Sequence, residues 1–171
     1  MKNIIILNGS IRKHGNTSKL VKAFKEGAEA SGNIVQEFYL NNMNINECVG
    51  CDRCLQSTDK NNPCVQKDDM KDIYKAFNES DIVVFASPVY FWTITGPLKT
   101  AVDRLYSEVA PFGHDAFNRD SVLLMTAGDY DYSQALNWYH NFNKYLDWKN
   151  LGEILGSDKI EEARKLGESI Q

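Results

Sequence analysis

Long hydrophobic runs are absent from this sequence. No stretch approaches the roughly 18–20 apolar residues that a membrane-spanning helix requires. The apolar segment Ile4–Leu7 is too short for a signal peptide, so a soluble, cytoplasmic protein with no membrane partner is expected. A surplus of positive charge is absent too. With 19 Lys and Arg against 23 Asp and Glu, the formal net charge is −4. That balance removes the electrostatic footprint of a nucleic-acid binder. Proline is scarce, at 4 in 171 residues, and no internal repeat, low-complexity tract or linker divides the chain. This length suffices for one domain with its own core, so a single domain over residues 1–171 is expected. Catalytic signatures are missing as well. There is no Gly-x-Ser-x-Gly elbow and no His-Glu-x-x-His helix, and neither His114 nor His140 has a recognisable nucleophile partner. Most of the chain lacks cysteine, because all four lie between Cys48 and Cys64.

What is present alternates between two patterns. Ile4–Leu7, Ile82–Ala86 and Val122–Met125 are short, unbroken and rich in β-branched residues. Such strands are covered on both faces, as in the middle of a parallel sheet. From Ile34 to Leu40 the two faces differ, with Ile34, Gln36, Phe38 and Leu40 on one and Val35, Glu37 and Tyr39 on the other, which suits an edge strand. Trp148–Leu155 is a weaker fifth strand.

Helical spacing fills the intervals: Val21, Phe24 and Ala28 after Asn16; Met70, Ile73 and Phe77 after a cap at Asp68 or Asp69. Pro97 opens another helix with Leu98, Ala101, Val102 and Leu105 inward. Two more carry Leu136, Tyr139, Phe142 and Leu146, and, opened by Ser157, Ile160, Ala163, Leu166 and Ile170. Residues 107–119 read as a long connection anchored by Phe112 and Phe117, bordering a substrate entrance or a dimer contact. The alternation implies a doubly wound α/β sheet with right-handed crossovers. Ligands then sit beyond the carboxyl ends of the strands where the strand order reverses.

The loop after the first strand runs from Asn8 to Ser18. It has neither the Gly-Lys-Ser/Thr of a Walker A loop nor the Gly-x-Gly-x-x-Gly of a dinucleotide site. It does join a buried strand to a helix start, where N–H groups and the helix dipole attract anions. Ser10, Asn16, Thr17 and Ser18 supply donors and Arg12 supplies charge for a phosphate monoester. No carboxylate there suggests magnesium, and His14 reads as a solvated loop residue. After the third strand comes Ser87-Pro88-Val89-Tyr90-Phe91-Trp92. Three consecutive aromatics cannot all face the core. At least one is expected to cap it, leaving the rest as a wall for a flat ring. The loop 126–132, with Gly128 and Tyr130, offers a third wall. A phosphate site beside an aromatic slot fits flavin mononucleotide (FMN).

With these residues the chain resembles the flavodoxin-like NAD(P)H-dependent FMN reductase family over most of residues 1–156. The shared motifs are Gly9-Ser10-Ile11-Arg12, Gly15-Asn16-Thr17, Ser87-Pro88-Val89-Tyr90-Phe91 and Gly96-Pro97-Leu98-Lys99 with Asp103-Arg104. Ile11 departs from the proline common there. The resemblance implies a five-stranded parallel sheet in the order 2-1-3-4-5 within an α/β/α sandwich. It implies that Ser10, Arg12, Asn16, Thr17 and Ser18 hold the FMN phosphate, while Pro88, Val89, Tyr90 and Phe91 line its ring. NAD(P)H would be the transient reductant, a quinone, flavin or nitro compound the acceptor, and a homodimer the assembly. No side chain is assigned a catalytic role.

The cysteines stand as Cys48-Val49-Gly50-Cys51-Asp52-Arg53-Cys54, with Cys64 after a further nine residues. Three thiols at two-residue gaps can face one centre, with Gly50 letting the chain bend. This grouping suits iron–sulfur ligation better than zinc, whose ligands usually come as separated pairs. Together with Asp68-Asp69-Met70 it resembles the iron–sulfur flavoprotein branch of the same superfamily, where the fourth cysteine usually follows sooner. That branch implies a [4Fe–4S] cluster on Cys48, Cys51, Cys54 and Cys64 and an electron-carrier partner. Free reduced thiols on a flavin reductase, or a mononucleotide-binding module without catalysis, are the alternatives.

Overall fold

The computed structural model describes residues 1–129 and 131–171. Tyr130, expected in the third wall, lies outside the described residues. Among them five strands form one parallel sheet: β1 (Asn3–Asn8), β2 (Ile34–Tyr39), β3 (Ile82–Pro88), β4 (Asp120–Thr126) and β5 (Lys149–Leu155). Their order is β2-β1-β3-β4-β5, and every pairing is parallel. This is the expected doubly wound order. The direction of winding reverses between β1 and β3, so their carboxyl ends flank the crevice that such a sheet leaves open.

Among the described residues six helices cover the two faces: α1 (Asn16–Ala30), α2 (Met70–Glu79), α3 (Gly96–Arg104), α4 (Tyr106–Phe112), α5 (Ser133–Leu146) and α6 (Ile160–Glu168). Alternate strand residues point to opposite faces, and the core divides accordingly. Ile5, Leu7, Val83, Phe85, Leu123 and Met125 pack with Ile73, Phe77, Leu98 and Tyr139 of α2, α3 and α5. Ile4, Ile6, Val84, Val122 and Leu124 pack with Leu20, Phe24 and Ala163 of α1 and α6. The result is an α/β/α sandwich. Ile6, Val84 and Leu124 are wholly buried in the central strands, and truncating such a side chain to alanine costs about 2–5 kcal/mol. At the β2 edge only Phe38 is buried, in keeping with its two-faced pattern. Among the described residues no helix is long and apolar enough to cross a membrane.

Two segments differ from expectation. Residues 107–119 are mostly helical, comprising α4 and a 3-10 turn at Asp115–Phe117. Pro111 lies inside α4 and hides its helical character from a sequence reading. The break between α3 and α4 at Leu105 has a chemical cause. The carbonyl of Arg104 accepts from Ser107 Oγ at 2.9 Å and from the buried Tyr74 hydroxyl at 3.1 Å. Phe117 is an anchor as expected, its ring tilted against those of Phe77 and Trp148 at centroid distances of 4.7 and 5.3 Å, and Trp148 Nε1 donates to the Phe117 carbonyl at 2.8 Å. Phe112 is only half-buried, beneath the Lys60 ammonium at 5.5 Å. The last helix begins at Ile160 rather than Ser157. Gly156, at φ +130°, is still turning there, with its N–H bonded to the Met125 carbonyl.

Candidate functional site

Three loops leave the carboxyl ends of β1, β3 and β4 and meet at one cleft. It encloses about 340 Å³ and is lined by Ser10, Arg12, Gly15, Asn16, Thr17, Pro88, Val89, Tyr90, Thr126, Ala127 and Gly128. The loops are knitted to one another by a few hydrogen bonds. Gly9 N–H donates to Ala86 O at 2.8 Å, and Thr95 Oγ1 donates to Gly9 O at 2.7 Å. Thr95 N–H in turn donates to Ser87 Oγ at 3.0 Å. This approach is close enough that a Cβ on Gly9 would stand 2.6 Å from Thr95 Oγ1 and 2.7 Å from Leu98 Cβ. On the other side, Val89 N–H donates to Thr126 O at 2.7 Å, and the Thr17 and Thr126 hydroxyls share a 2.7 Å bond.

The donors of the first loop divide their labour. Ser10 Oγ and Ser18 Oγ both donate to Arg12 O, at 3.0 and 3.1 Å. The Thr17 hydroxyl is occupied by Thr126. These hydroxyls therefore fold the loop. What remains for an anion is the first turn of α1, which has Gly15 at its N-cap, no side-chain cap and no acidic residue. N–H groups of a first turn have no partner within their own helix. Those of Asn16, Thr17 and Ser18, with the exposed Arg12 guanidinium, form a cationic cradle whose donor set fits a phosphate monoester.

The aromatic loop behaves differently from expectation. Tyr90 and Thr93 exchange N–H···O bonds of 3.0 and 3.2 Å across a tight turn, with Phe91 at φ +45° and Trp92 at φ +64°. Two non-glycine residues in the left-handed region carry strain, a feature that collects at binding sites. No aromatic of the three caps the core: all are exposed, Phe91 at 91%. The turn points them outward because both central residues lie at its tip. Phe91 and Trp92 line an adjoining recess of about 390 Å³ with Val89, Ala127, Gly128, Asp129 and Asp131. The shared residues Val89, Ala127 and Gly128 make it continuous with the cleft. Of the residues singled out in the sequence, Ser18 and Phe91 do not line the cleft itself. Gly15 does, as a member of the Gly15-Asn16-Thr17 motif whose glycine carries no site role in the sequence alone.

The cysteines form a second site. Cys48, Cys51, Cys54 and Cys64 all line one small cavity of about 40 Å³, joined by Gln66, Arg104, Tyr106 and Ser107 among others. All four are free thiols. Left-handed backbone at Gly50 (φ +61°) and Asp52 (φ +54°) curls the first three toward it. The fourth arrives because the base of the long loop is zipped shut. Asn44 N–H donates to Asp69 Oδ2 at 2.7 Å, Asn46 N–H to Asp68 Oδ2 at 3.0 Å, and Gln66 Nε2 to Glu47 O at 2.9 Å. The nine residues between Cys54 and Cys64 are thus an excursion that starts and ends at the same place. Burial is the first influence on the Cys54 thiol and pushes its pKa up, and the other three cysteines push the same way.

Among the described residues no three His, Cys, Asp or Glu side chains already sit close enough to hold one metal ion. Ligation would require the exposed segment around Cys48 and Cys51, which has no regular secondary structure, to draw inward. Four free thiols on one cavity are nonetheless the donor set that a [4Fe–4S] cluster takes.

Comparison with known proteins agrees with this geometry. The chain is 41% identical over 114 residues to an iron-sulfur flavoprotein of Archaeoglobus fulgidus, an overlap of 67% of this chain and 48% of that protein. It therefore spans about half the length of that relative. Among solved structures, the NAD(P)H:quinone oxidoreductase of Methanothermobacter marburgensis superposes with a TM-score of 0.66 at 18% identity, over 96% of this chain and 92% of that one. Two-electron reduced flavodoxin of Megasphaera elsdenii superposes with a TM-score of 0.61 at 12% identity, covering 96% of each chain. Both share the fold. Residues 2–156 match the sequence model of the NADPH-dependent FMN reductases, and the chain belongs to that family.

Proposed function

We propose that residues 1–171 form one FMN-binding domain that acts as an NAD(P)H-dependent oxidoreductase. The observation that carries this reading is the cleft at the β1/β3 switch point, with a cationic cradle at one end and an aromatic recess at the other. Ser10, Arg12, Asn16, Thr17 and Ser18 hold the phosphate. Ser10 and Ser18 act by shaping the loop, while Arg12 and the first turn of α1 act by direct donation. Pro88, Val89, Tyr90 and Gly128 bound the ring, and Phe91 with Trp92 shields the open side where nicotinamide and acceptor dock in turn. Bound FMN supplies hydride acceptance and one- or two-electron release, and the protein positions it. A quinone, flavin or nitro compound is the acceptor class for a shallow recess with aromatic walls.

A second observation favours an extended form of this function. The four cysteines converge on one cavity despite the nine-residue gap before Cys64. This supports the iron–sulfur flavoprotein reading, in which Cys48, Cys51, Cys54 and Cys64 hold a [4Fe–4S] cluster that exchanges electrons with the flavin and with a carrier protein. Purification without oxygen tests both readings. Flavin absorbance bleached by NADH or NADPH supports the reductase, and failure to bind FMN on reconstitution overturns it. Four iron and four sulfide per chain support the cluster. Their absence after anaerobic reconstitution leaves a flavin reductase with free thiols.

A further inference from the structure

Arg104 is wholly buried, with its side chain 1% exposed, at the end of α3. Its fork grips Asp68, whose side chain is 0% exposed, through Nη1 to Oδ2 at 2.7 Å and Nη2 to Oδ1 at 3.2 Å. Nη1 also donates to Asn46 O at 2.8 Å. Asp68 is saturated, accepting further from Asn46 N, Asn46 Nδ2 and Met70 N. Burial opposes charge on Asp68, but these bonds outweigh it and hold its carboxyl below the usual carboxylate range. Burial likewise opposes charge on Arg104, and the Asp68 bonds outweigh it, so the guanidinium stays charged.

A buried ion pair is weak evidence of a stabilising role, because desolvation consumes most of the Coulombic gain. Two further facts direct this one toward the cysteines. Arg104 lines the four-thiol cavity, which Asp68 does not. Arg104 Nε is also buried with no hydrogen-bond partner, one of two such side-chain atoms found among the described residues. A buried donor left unsatisfied costs free energy. An acceptor at the cavity would relieve that cost, and four of the side chains lining it carry sulfur, beside the oxygens of Asp52, Gln66, Tyr106 and Ser107.

We infer that Arg104 sets the reduction potential of the cysteine-held cluster, its Nε–H donating to a sulfur and its charge stabilising the reduced state. This rests on the cluster reading above. One electron arriving from reduced FMN adds one negative charge at the cavity and no proton. A fixed cation beside that charge favours its arrival, and hydrogen bonds to the sulfurs act in the same direction. Asp68 holds the cation in place and, from farther away, offsets part of its effect. It is a positioning residue.

The test is a mediated redox titration of the iron-loaded, FMN-loaded protein, following cluster and flavin signals separately, with iron and sulfide counted in each sample. Arg104→Gln should lower the ratio of reduced to oxidised cluster at a fixed potential by about tenfold, a midpoint shift of about 59 mV for one electron. Arg104→Lys should recover part of that shift, because it keeps the charge and loses the Nε donor. Asp68→Asn keeps an amide oxygen that accepts from Arg104 and so leaves the cation in place while removing the opposing charge; it should move the ratio the opposite way. The flavin midpoint should stay unchanged in all three. Opposed shifts with iron retained support the inference. Equal midpoints, or shifts of one sign, with iron retained overturn it and leave the cluster reading standing. If Arg104→Gln does not fold, Asp68→Asn decides by the direction of its shift alone. Wild-type protein without iron and sulfide after reconstitution overturns the cluster reading itself, and the inference falls with it.

Discussion

The cleft and the cysteine cavity reach a similar end by different means. The cleft is assembled at the carboxyl ends of β1, β3 and β4, whose pairing sets Asn8 opposite Ala86 and Pro88 opposite Thr126. A buried sheet fixes where its loops begin, so a few bonds through Thr95 and Thr126 complete the site. The cysteine cavity stands outside the sheet. Its thiols come from an exposed loop closed at the base by Asp68, Asp69 and Gln66. Its fixed point is one buried cation from a helix far away in sequence. A site at the carboxyl ends of central strands is held by the whole core, whereas one on a loop depends on its ties.

The largest expected effect separates the two sites. Cys64→Ser should abolish cluster assembly, with iron falling to background, while FMN content stays at the wild-type level. Equal loss of both by iron and flavin assay would show that the sites are not independent. The reciprocal change, Arg12→Ala, should weaken FMN binding by roughly tenfold, a value discounted for its exposure, with iron unaltered. Fluorescence titration of the apoprotein with FMN measures it.

A pH effect comes next, on the side of the long loop. Burial pushes the Glu108 carboxyl up from 4.5 to about 7, against the Asn78 hydrogen bond and the charges of Arg119 and Lys60, with Asp59 pushing upward. Asn78 Nδ2 bonds both Glu108 and the Lys60 carbonyl of the loop, at 3.3 and 2.7 Å. The folded state binds the proton more tightly than the unfolded chain does. Stability is therefore fully present below about pH 4.5 and is lost as pH rises through about 7. The loss is on the order of 3 kcal/mol. Denaturant titrations between pH 4.5 and 8 should show this slope, and Glu108→Gln should flatten it. An unchanged slope in the variant assigns the effect to another group.

The smallest effect belongs to the aromatic turn. Replacing Phe91 with Asn and Trp92 with Gly relieves two left-handed residues and should stabilise the fold by about 1 kcal/mol. The same change should raise the KM for the acceptor. Higher Tm with unchanged kinetics would mean that the turn is strained for some purpose other than the cleft.

Much of this was legible in the residues themselves. Unbroken β-branched runs mark β1, β3 and β4 because strands covered on both faces need no polar side. The loops after them carry the residues that line the cleft in contiguous stretches. Ser18 and Thr17 show the limit of such a reading, since a hydroxyl in a binding motif can serve the loop rather than the ligand. Helix α4 was hidden by Pro111, and the exposure of Tyr90, Phe91 and Trp92 follows from a turn geometry that two aromatics rarely adopt.

The clustering of the cysteines within 48–64 was visible from the start, and by itself it determined that three thiols could share a centre. It could not decide whether Cys64 lines the same cavity as the other three. Only the tertiary structure did, because the decision lies in bonds from Asn44 to Asp69 and from Asn46 to Asp68 that bring the two ends of the loop together. Arg104 was likewise a letter in a motif, one helical turn from Ala101. Its place beside the cavity emerged only when folding buried its charge against Asp68, since burial and pairing are properties of three-dimensional neighbours and not of spacing along a chain.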